Sequence, residues 1–337
     1  MVGVSRPAGS PRRAPSRTLP RASVEEANAG DADSDPGLTL RLPFQRPFAW
    51  RAALSFLAVR ATPGVECVRG QAYWRTVRVP FDGRVLAGWI CVHQTPEETF
   101  LRVRMAPALE PVGETLGLRL RRFFDLDAEP LRIEAHLRAD PAFLPLVEGM
   151  PGLRVLGCWD PFELACRAVL GQQVSVAAAT TLSGRLAERF GAASGTPVPG
   201  LAWLAPGAPE IAQTSVDDIA ALGMPRARAA TVLALARFAA AGGLAAQSEA
   251  SLEEVVKRLI TLPGIGEWTA QYIAMRGFGQ ADAFPAGDLG LRRALARLEG
   301  TAGLPAERAL LARSAAWMPW RAYAAVHLWR LAALPAA

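Results

Sequence analysis

Between Leu38 and Met105, apolar and polar residues alternate with a period of two in four segments. These are LTLRLPF (38–44), YWRTVRVPF (73–81), RVLAGWICVHQ (84–94) and TFLRVRM (99–105). Such alternation sets one face of a strand on a core and the other in water, as antiparallel sheets do. Two stretches of the same region, AWRAALSFLAVRA (49–61) and VGETLGLRLRRFF (112–124), space their apolar residues by three and four and predict helices. Residues 38–127 therefore read as an N-terminal α+β domain built on a small antiparallel sheet.

After Asp127 the period of two disappears. PFELACRAVLGQQVSVAAATTLSGRLAERF (161–190) carries apolar residues at helical spacing on both sides of a break at Gly171, Gln172 and Gln173. SVDDIAALGMPRARAATVLALARFAAAG (215–242) predicts a helix, a turn at Gly223–Met224–Pro225 and a second helix. The spacing stays helical to Leu334, so residues 128–337 read as an all-helical bundle with short loops. Residues 1–37, rich in Pro, Ser, Arg, Ala and Gly without any hydrophobic period, read as a disordered tail. The acid-free first 24 residues suit a transit peptide, but their prolines oppose the amphipathic helix such a peptide needs.

The most informative stretch is LPGIGEWTA (262–270). Ser251 and Glu254 form a capping box that opens a helix over 252–260, and a second helix begins near Glu267. Gly264 and Gly266 permit positive φ and close backbone approach. The first amides of the second helix lack internal partners and suit a phosphate. Trp268 and Tyr272, four apart, share one helix face. Asp288 follows a Pro-Ala-Gly loop and opens another helix. By spacing alone these residues also fit an ordinary helix connection, a core aromatic pair and an N-cap aspartate.

Composition narrows the choice. A net charge of +6 and a pI near 9.7 suit an anionic partner such as nucleic acid. No apolar run of 18 residues is free of charges, so no membrane span is expected. Cys67, Cys91, Cys158 and Cys166 show no CxxC spacing, and His93, His136 and His327 complete no metal pattern. Free thiols in a reducing cytoplasm are expected, without a transition metal or iron–sulfur cluster.

Six segments in order, FLAVRATPGVE, FFDL, RAVLGQQVSVAAA, ALGMP, LPGIGEWTA and PWRAYAAVHLW, resemble the helix-hairpin-helix DNA glycosylase superfamily. Within it the chain is most similar to the bacterial DNA-3-methyladenine glycosylase II family. The resemblance implies two helical subdomains with the active site in the cleft between them. It implies a catalytic Asp288, and a pocket for a flipped-out base lined by Trp268, Tyr272, Trp320 and Phe56. Gln173 falls at the position that wedges into the DNA. The amides of Gly264, Gly266 and Thr269 would hold the phosphate backbone. The carbonyls of Ile260, Leu262 and Ile265 would coordinate a structural Na+ or K+, and no cofactor is required.

The partner so implied is double-stranded DNA containing alkylated bases such as 3-methyladenine, bound by a monomer in the cytoplasm and held to the nucleoid through DNA. Three positions depart from the family pattern. Gln173 stands where leucine is frequent, Gly287 where a relative carries a second acid, and Leu289 where it carries tyrosine. Relatives that also cut the strand use a lysine at the Trp268 position. Lys257 is the only lysine here, so a monofunctional enzyme leaving an abasic site is expected.

Overall fold

The alternating segments pair as a five-stranded antiparallel sheet in the order β1-β5-β4-β3-β2. Its strands are β1 (Leu38–Pro43), β2 (Glu66–Arg69), β3 (Ala72–Phe81), β4 (Arg84–His93) and β5 (Phe100–Met105). The structure, a computed structural model, describes residues 38–247 and 250–334; the tail reading for 1–37 lies outside them. Register is fixed where Phe81 pairs with Arg84 around Asp82–Gly83, whose φ values of 48° and 71° suit a tight hairpin turn. The alternation did not reveal β2, a four-residue edge strand with no fully buried residue.

Helices α1 (Trp50–Ala58) and α2 (Gly113–Phe123) join this sheet. Trp50, Leu54 and Leu57 of α1 and Leu116, Leu120 and Phe123 of α2 bury against Tyr73, Val77, Leu101 and Val103. That is the first of two hydrophobic cores.

The second core lies among helices. They are α3 (Pro130–Arg138), α4 (Leu144–Glu148), α5 (Pro161–Leu170), α6 (Val176–Phe190), α7 (Ala208–Ala212), α8 (Val216–Ala220) and α9 (Arg226–Ala240). They continue as α10 (Leu252–Leu259), α11 (Glu267–Gly277), α12 (Leu289–Glu299), α13 (Glu307–Ser314) and α14 (Arg321–Ala333). Seven of the ten residues of α5 are buried, so it runs through the middle of this core. Asp160 starts α5 by accepting from the Phe162 and Glu163 amides, and Ser175 starts α6 by accepting from Ala178. The Ser251–Glu254 capping box forms as the spacing predicts.

The second part is helical as the spacing predicts, with one short addition. Between α6 and α7 the chain forms a two-residue ladder, β6 (Ala192–Ala193) with β7 (Trp203–Leu204). It gives the backbone of a long connector partners, and the connector continues onto the sheet region. The Trp203 amide donates to Gly64 O at 2.8 Å, and the Thr76 hydroxyl donates to Trp203 O at 2.6 Å.

Charged residues tie the two cores together. Arg75 of β3 meets Glu163 of α5 at 2.9 Å. Burial alone would lower the Arg75 guanidinium, but Glu163 outweighs it and holds it above the ordinary arginine value. Arg276 of α11 donates to the carbonyls of Leu156 and Gly157, both at 2.8 Å. Tyr323 of α14 donates to Asp125 at 2.8 Å, just beyond α2.

Candidate active site

Asp288 is the N-cap of α12, as its place after Pro285-Ala286-Gly287 predicts, and its Oδ1 accepts the Leu291 amide at 2.9 Å. It does more than cap. Trp268 Nε1 donates to its Oδ2 at 3.0 Å, and Trp329 Nε1 donates to its Oδ1 at 3.0 Å. Three N–H groups from α11, α12 and α14 thus fix the plane of one half-buried carboxylate.

Trp268 and Tyr272 form a parallel stack, with centroids 5.6 Å apart and planes at 8°. The i, i+4 spacing on α11 creates that shared face. Trp329 stands edge-on to Tyr272 at 6.1 Å, closing a triangle of aromatics around the carboxylate.

Phe56 approaches from α1, linked to this group through arginines. Arg276 lies 4.7 Å from the Phe56 centroid and 5.7 Å from that of Tyr272, and donates to the Tyr272 hydroxyl at 2.8 Å. Arg60 lies 3.9 Å from the Phe56 centroid. Burial by itself would raise the Tyr272 phenol. Arg276 and Arg60 outweigh it and hold the phenol below the ordinary tyrosine value. The Phe56 ring is therefore already engaged by two guanidiniums, within the range of cation–π attraction. A small cavity of about 80 Å³ adjoins this end, lined by Phe56, Arg60, Arg75, Glu163, Arg167 and Arg276. Its walls do not include Asp288 or Trp268.

Trp320 is not brought to this group. It is the N-cap of α14, and its ring contact is with Tyr323 at 5.7 Å. Trp329 lies nine positions further on, roughly 13 Å along the helix axis. Trp329 stands at the carboxylate instead. Both tryptophans fall within the segment PWRAYAAVHLW, and no spacing rule chooses between them. Arg60 and Arg276, each four residues after the aromatic it meets, also stand at this group, and no spacing rule singles them out.

The turn after α10 brings Gly264, Gly266 and Thr269 to the entrance of α11. Gly264 has φ +81°, and a Cβ there would meet Thr231 Oγ1 at 2.1 Å. Gly266 is the N-cap and supplies no side chain, so the first amides of α11 keep their hydrogen bonds unspent. Among the described residues, none of the amides of Gly264, Gly266 and Thr269 has an acceptor. The carbonyls of Ile260 and Ile265 likewise have no donor among the described residues, while Leu262 O accepts the Ile265 amide at 3.1 Å. Neutral carbonyl oxygens replace the hydration shell of alkali cations, so this donor set fits a monovalent ion.

Gln173 sits exposed between α5 and α6 with φ +57°, a left-handed backbone uncommon outside glycine. Gly287 lies beside the Glu307 carboxylate: a Cβ there would be 3.4 Å from Oε2. Leu289, the first residue of α12, is 45% exposed, so its side chain faces outward next to Asp288. All four cysteines are free thiols. No helix among the described residues is long and apolar enough to cross a membrane. No cluster of three or more metal-ligating side chains occurs among them.

A helical bundle that sets a glycine turn, an aromatic pair on the following helix and one oriented aspartate together has the layout of base-excision repair proteins. Comparison with known proteins agrees. Residues 39–160 match the AlkA N-terminal domain, and residues 166–319 match the HhH-GPD superfamily base excision DNA repair protein. A Mycobacterium tuberculosis protein described as a probable bifunctional transcriptional activator/DNA repair enzyme AlkA is 40% identical over 325 residues, 95% of this chain. The chain spans 61% of the length of that relative. Escherichia coli DNA-3-methyladenine glycosylase 2 is 35% identical over 289 residues, covering 86% of this chain and 95% of the relative. The solved structure of 3-methyladenine DNA-glycosylase from Archaeoglobus fulgidus has the same fold, with a TM-score of 0.74 at 22% identity, over 86% of this chain and 97% of that one. The chain belongs to the DNA-3-methyladenine glycosylase 2 family of the HhH-GPD superfamily.

Proposed function

We propose that this chain is a monofunctional DNA glycosylase that flips out alkylated bases, 3-methyladenine and related alkylpurines, and excises them hydrolytically from duplex DNA, leaving an abasic site. The observation that carries the reading is the Asp288 carboxylate, oriented by two indole N–H groups and one amide beside the Trp268–Tyr272 stack.

Most glycoside hydrolases need a second carboxyl to protonate the leaving group. An alkylated purine is already cationic and departs without that proton. The species needing help is the oxocarbenium sugar, and a preorganised carboxylate stabilises its positive charge at the point where it develops. Extrusion of the base costs a few kcal/mol, less for a damaged base. Stacking on Trp268 and Tyr272 returns roughly 1–3 kcal/mol. Because Arg60 and Arg276 already occupy Phe56, the preference for a cationic base rests on Trp268, Trp329 and Asp288.

The free amides of the hairpin turn suit phosphate, and its unpartnered carbonyls suit Na+ or K+, which would brace the turn when bound. No other cofactor enters the reading. The partner is duplex DNA with alkylated bases, the acting form a monomer, and the setting the bacterial cytoplasm. The test is release of 3-methyladenine from methylated duplex DNA by the wild type and by Asp288→Asn, with lesion-DNA binding measured in parallel. Release by wild type and its loss in a variant that still binds would support the proposal. Binding without release by either would replace the enzyme with a damage-recognition module.

A further inference from the structure

The break between α5 and α6 contains two adjacent glutamines with opposite roles. Gln173 points outward, whereas Gln172 turns back to the hairpin. Its side-chain Nε2 donates to Gly264 O at 2.9 Å and to Thr269 Oγ1 at 3.1 Å. Gly264 is the tip of the glycine turn, and Thr269 lies in the first turn of α11, 97 residues from Gln172. On its other side, the Gln172 carbonyl accepts Arg228 Nη2 of α9 at 2.6 Å. Both N–H donors of one carboxamide are thus used, and three separate elements converge on one residue.

This arrangement explains why the neighbouring Gln173 keeps a left-handed backbone. Such a conformation in a non-glycine residue costs of order 1 kcal/mol and persists only where its surroundings determine it. Here the Gly171 and Gln172 amides close the end of α5 on Arg167 O and Val169 O, and Ser175 opens α6. The Gln172 carboxamide fastens the stretch between them to the hairpin.

We propose that Gln172 is a positioning residue that couples the wedge loop to the hairpin, so that insertion of Gln173 into the DNA and the grip of the Gly264 and Gly266 amides on the backbone occur as one step. The inference deepens the glycosylase reading and rests on it. Without Gln172 the two elements meet the DNA independently. The hairpin still holds phosphate, but the wedge no longer has a fixed distance from it. Extrusion then suffers while binding and bond cleavage do not.

The test uses the full chain with Gln172→Met, which keeps length and loses both donors, and Gln172→Glu, which turns a carboxylate toward the Gly264 carbonyl. Three quantities are read: affinity for undamaged duplex, fluorescence of 2-aminopurine placed beside an abasic-site analogue, and single-turnover release of 3-methyladenine from methylated duplex and from the same DNA as single strand. Loss of two side-chain hydrogen bonds predicts about a tenfold fall in duplex release and a matching loss of the fluorescence rise. Duplex affinity and single-strand release should stay within about twofold, since a single strand needs no wedge.

Equal losses on duplex and single strand would overturn the proposal in favour of a direct active-site role. No loss on either would remove the coupling altogether. A wild type that releases no base would defeat the glycosylase reading alone, because the fluorescence still reports on Gln172. Arg228→Met, which removes the donor to the Gln172 carbonyl, is the second variant should the Gln172 substitutions unfold. A threefold loss confined to duplex is expected of it, and an unchanged rate counts against the coupling.

Discussion

The indole nitrogen of Trp329 lies 3.0 Å from Oδ1 of Asp288, a residue 41 positions earlier in the chain. That hydrogen bond and its counterpart from Trp268 fix both carboxylate oxygens, making Trp329 part of the carboxylate's immediate support. Trp329→Phe keeps a ring and loses the donor. A hydrogen bond to a charged group is worth about 1.5–3 kcal/mol. Single-turnover base release should therefore fall roughly 10- to 100-fold, with duplex affinity little changed. Trp320→Phe should leave the rate within about twofold, and comparing the two rates decides which tryptophan serves the carboxylate.

Gly264 combines a left-handed φ of +81° with a Cβ direction blocked by Thr231 Oγ1, itself held by Ala227 O at 3.2 Å. Gly264→Ala therefore meets strain and collision together, and should destabilise by about 2 kcal/mol or more. Duplex affinity should weaken at least tenfold as the turn's amides shift. Adding Thr231→Ala removes the Oγ1 collision but leaves the φ strain and a tight 3.1 Å approach to Cβ, so denaturant unfolding of the pair should show partial recovery.

Trp268, not an amine, faces Asp288, and the only lysine of the chain, Lys257, is exposed on α10. A Schiff base with the sugar needs a deprotonated amine at the anomeric carbon. Borohydride treatment during turnover should trap no covalent protein–DNA complex, and abasic product should remain uncut until alkali is added. A trapped band on a denaturing gel would refute the monofunctional reading.

Asp125 predicts a pH effect on stability. Burial pushes its carboxyl up to about 6, against the pull of the Tyr323 hydrogen bond, Arg154 and the Val155 amide. Between about pH 4 and 6 the folded protein keeps a proton that the unfolded chain has released, so this group's contribution falls as pH rises through that window. The shift corresponds to about 2–3 kcal/mol lost by pH 7. Asn at 125 can still accept from Tyr323 and Val155, and it tolerates the φ of 53° found there. Asp125→Asn should raise the melting temperature at pH 7.5 by several degrees, with the gain vanishing below about pH 4. His327, pulled down to about 4 by burial, favours the fold in the opposite direction, above pH 6.5, and cancels in the comparison.

The periods of two and 3.6 made most elements legible because one face of each is buried. β2 and the β6–β7 ladder escaped because they are short and half-exposed, and backbone pairing alone defines them. The turn, the shared Trp268–Tyr272 face and the Asp288 N-cap could be read because local spacing sets each of them, whereas the role of the carboxylate came from the resemblance. Trp329, Arg276 and Gln172 could not, since their roles come from contacts with residues 41, 120 and 97 positions away. Such contacts depend on how helices pack, and a single chain's pattern does not encode that order visibly.

Helix α14 carries Tyr323, bonded to Asp125 beside the sheet region, and six residues later Trp329, bonded to Asp288. Those six residues span about 9 Å of rigid helix. The rod therefore transmits the position of the α+β unit to the carboxylate itself. A chimera that borrowed this unit from a relative without an acceptor at Asp125 would fold its helices and still aim its aspartate poorly. The N-terminal unit thus helps set the position of the Asp288 carboxylate, and the two halves are to be exchanged, evolved or engineered as a matched set.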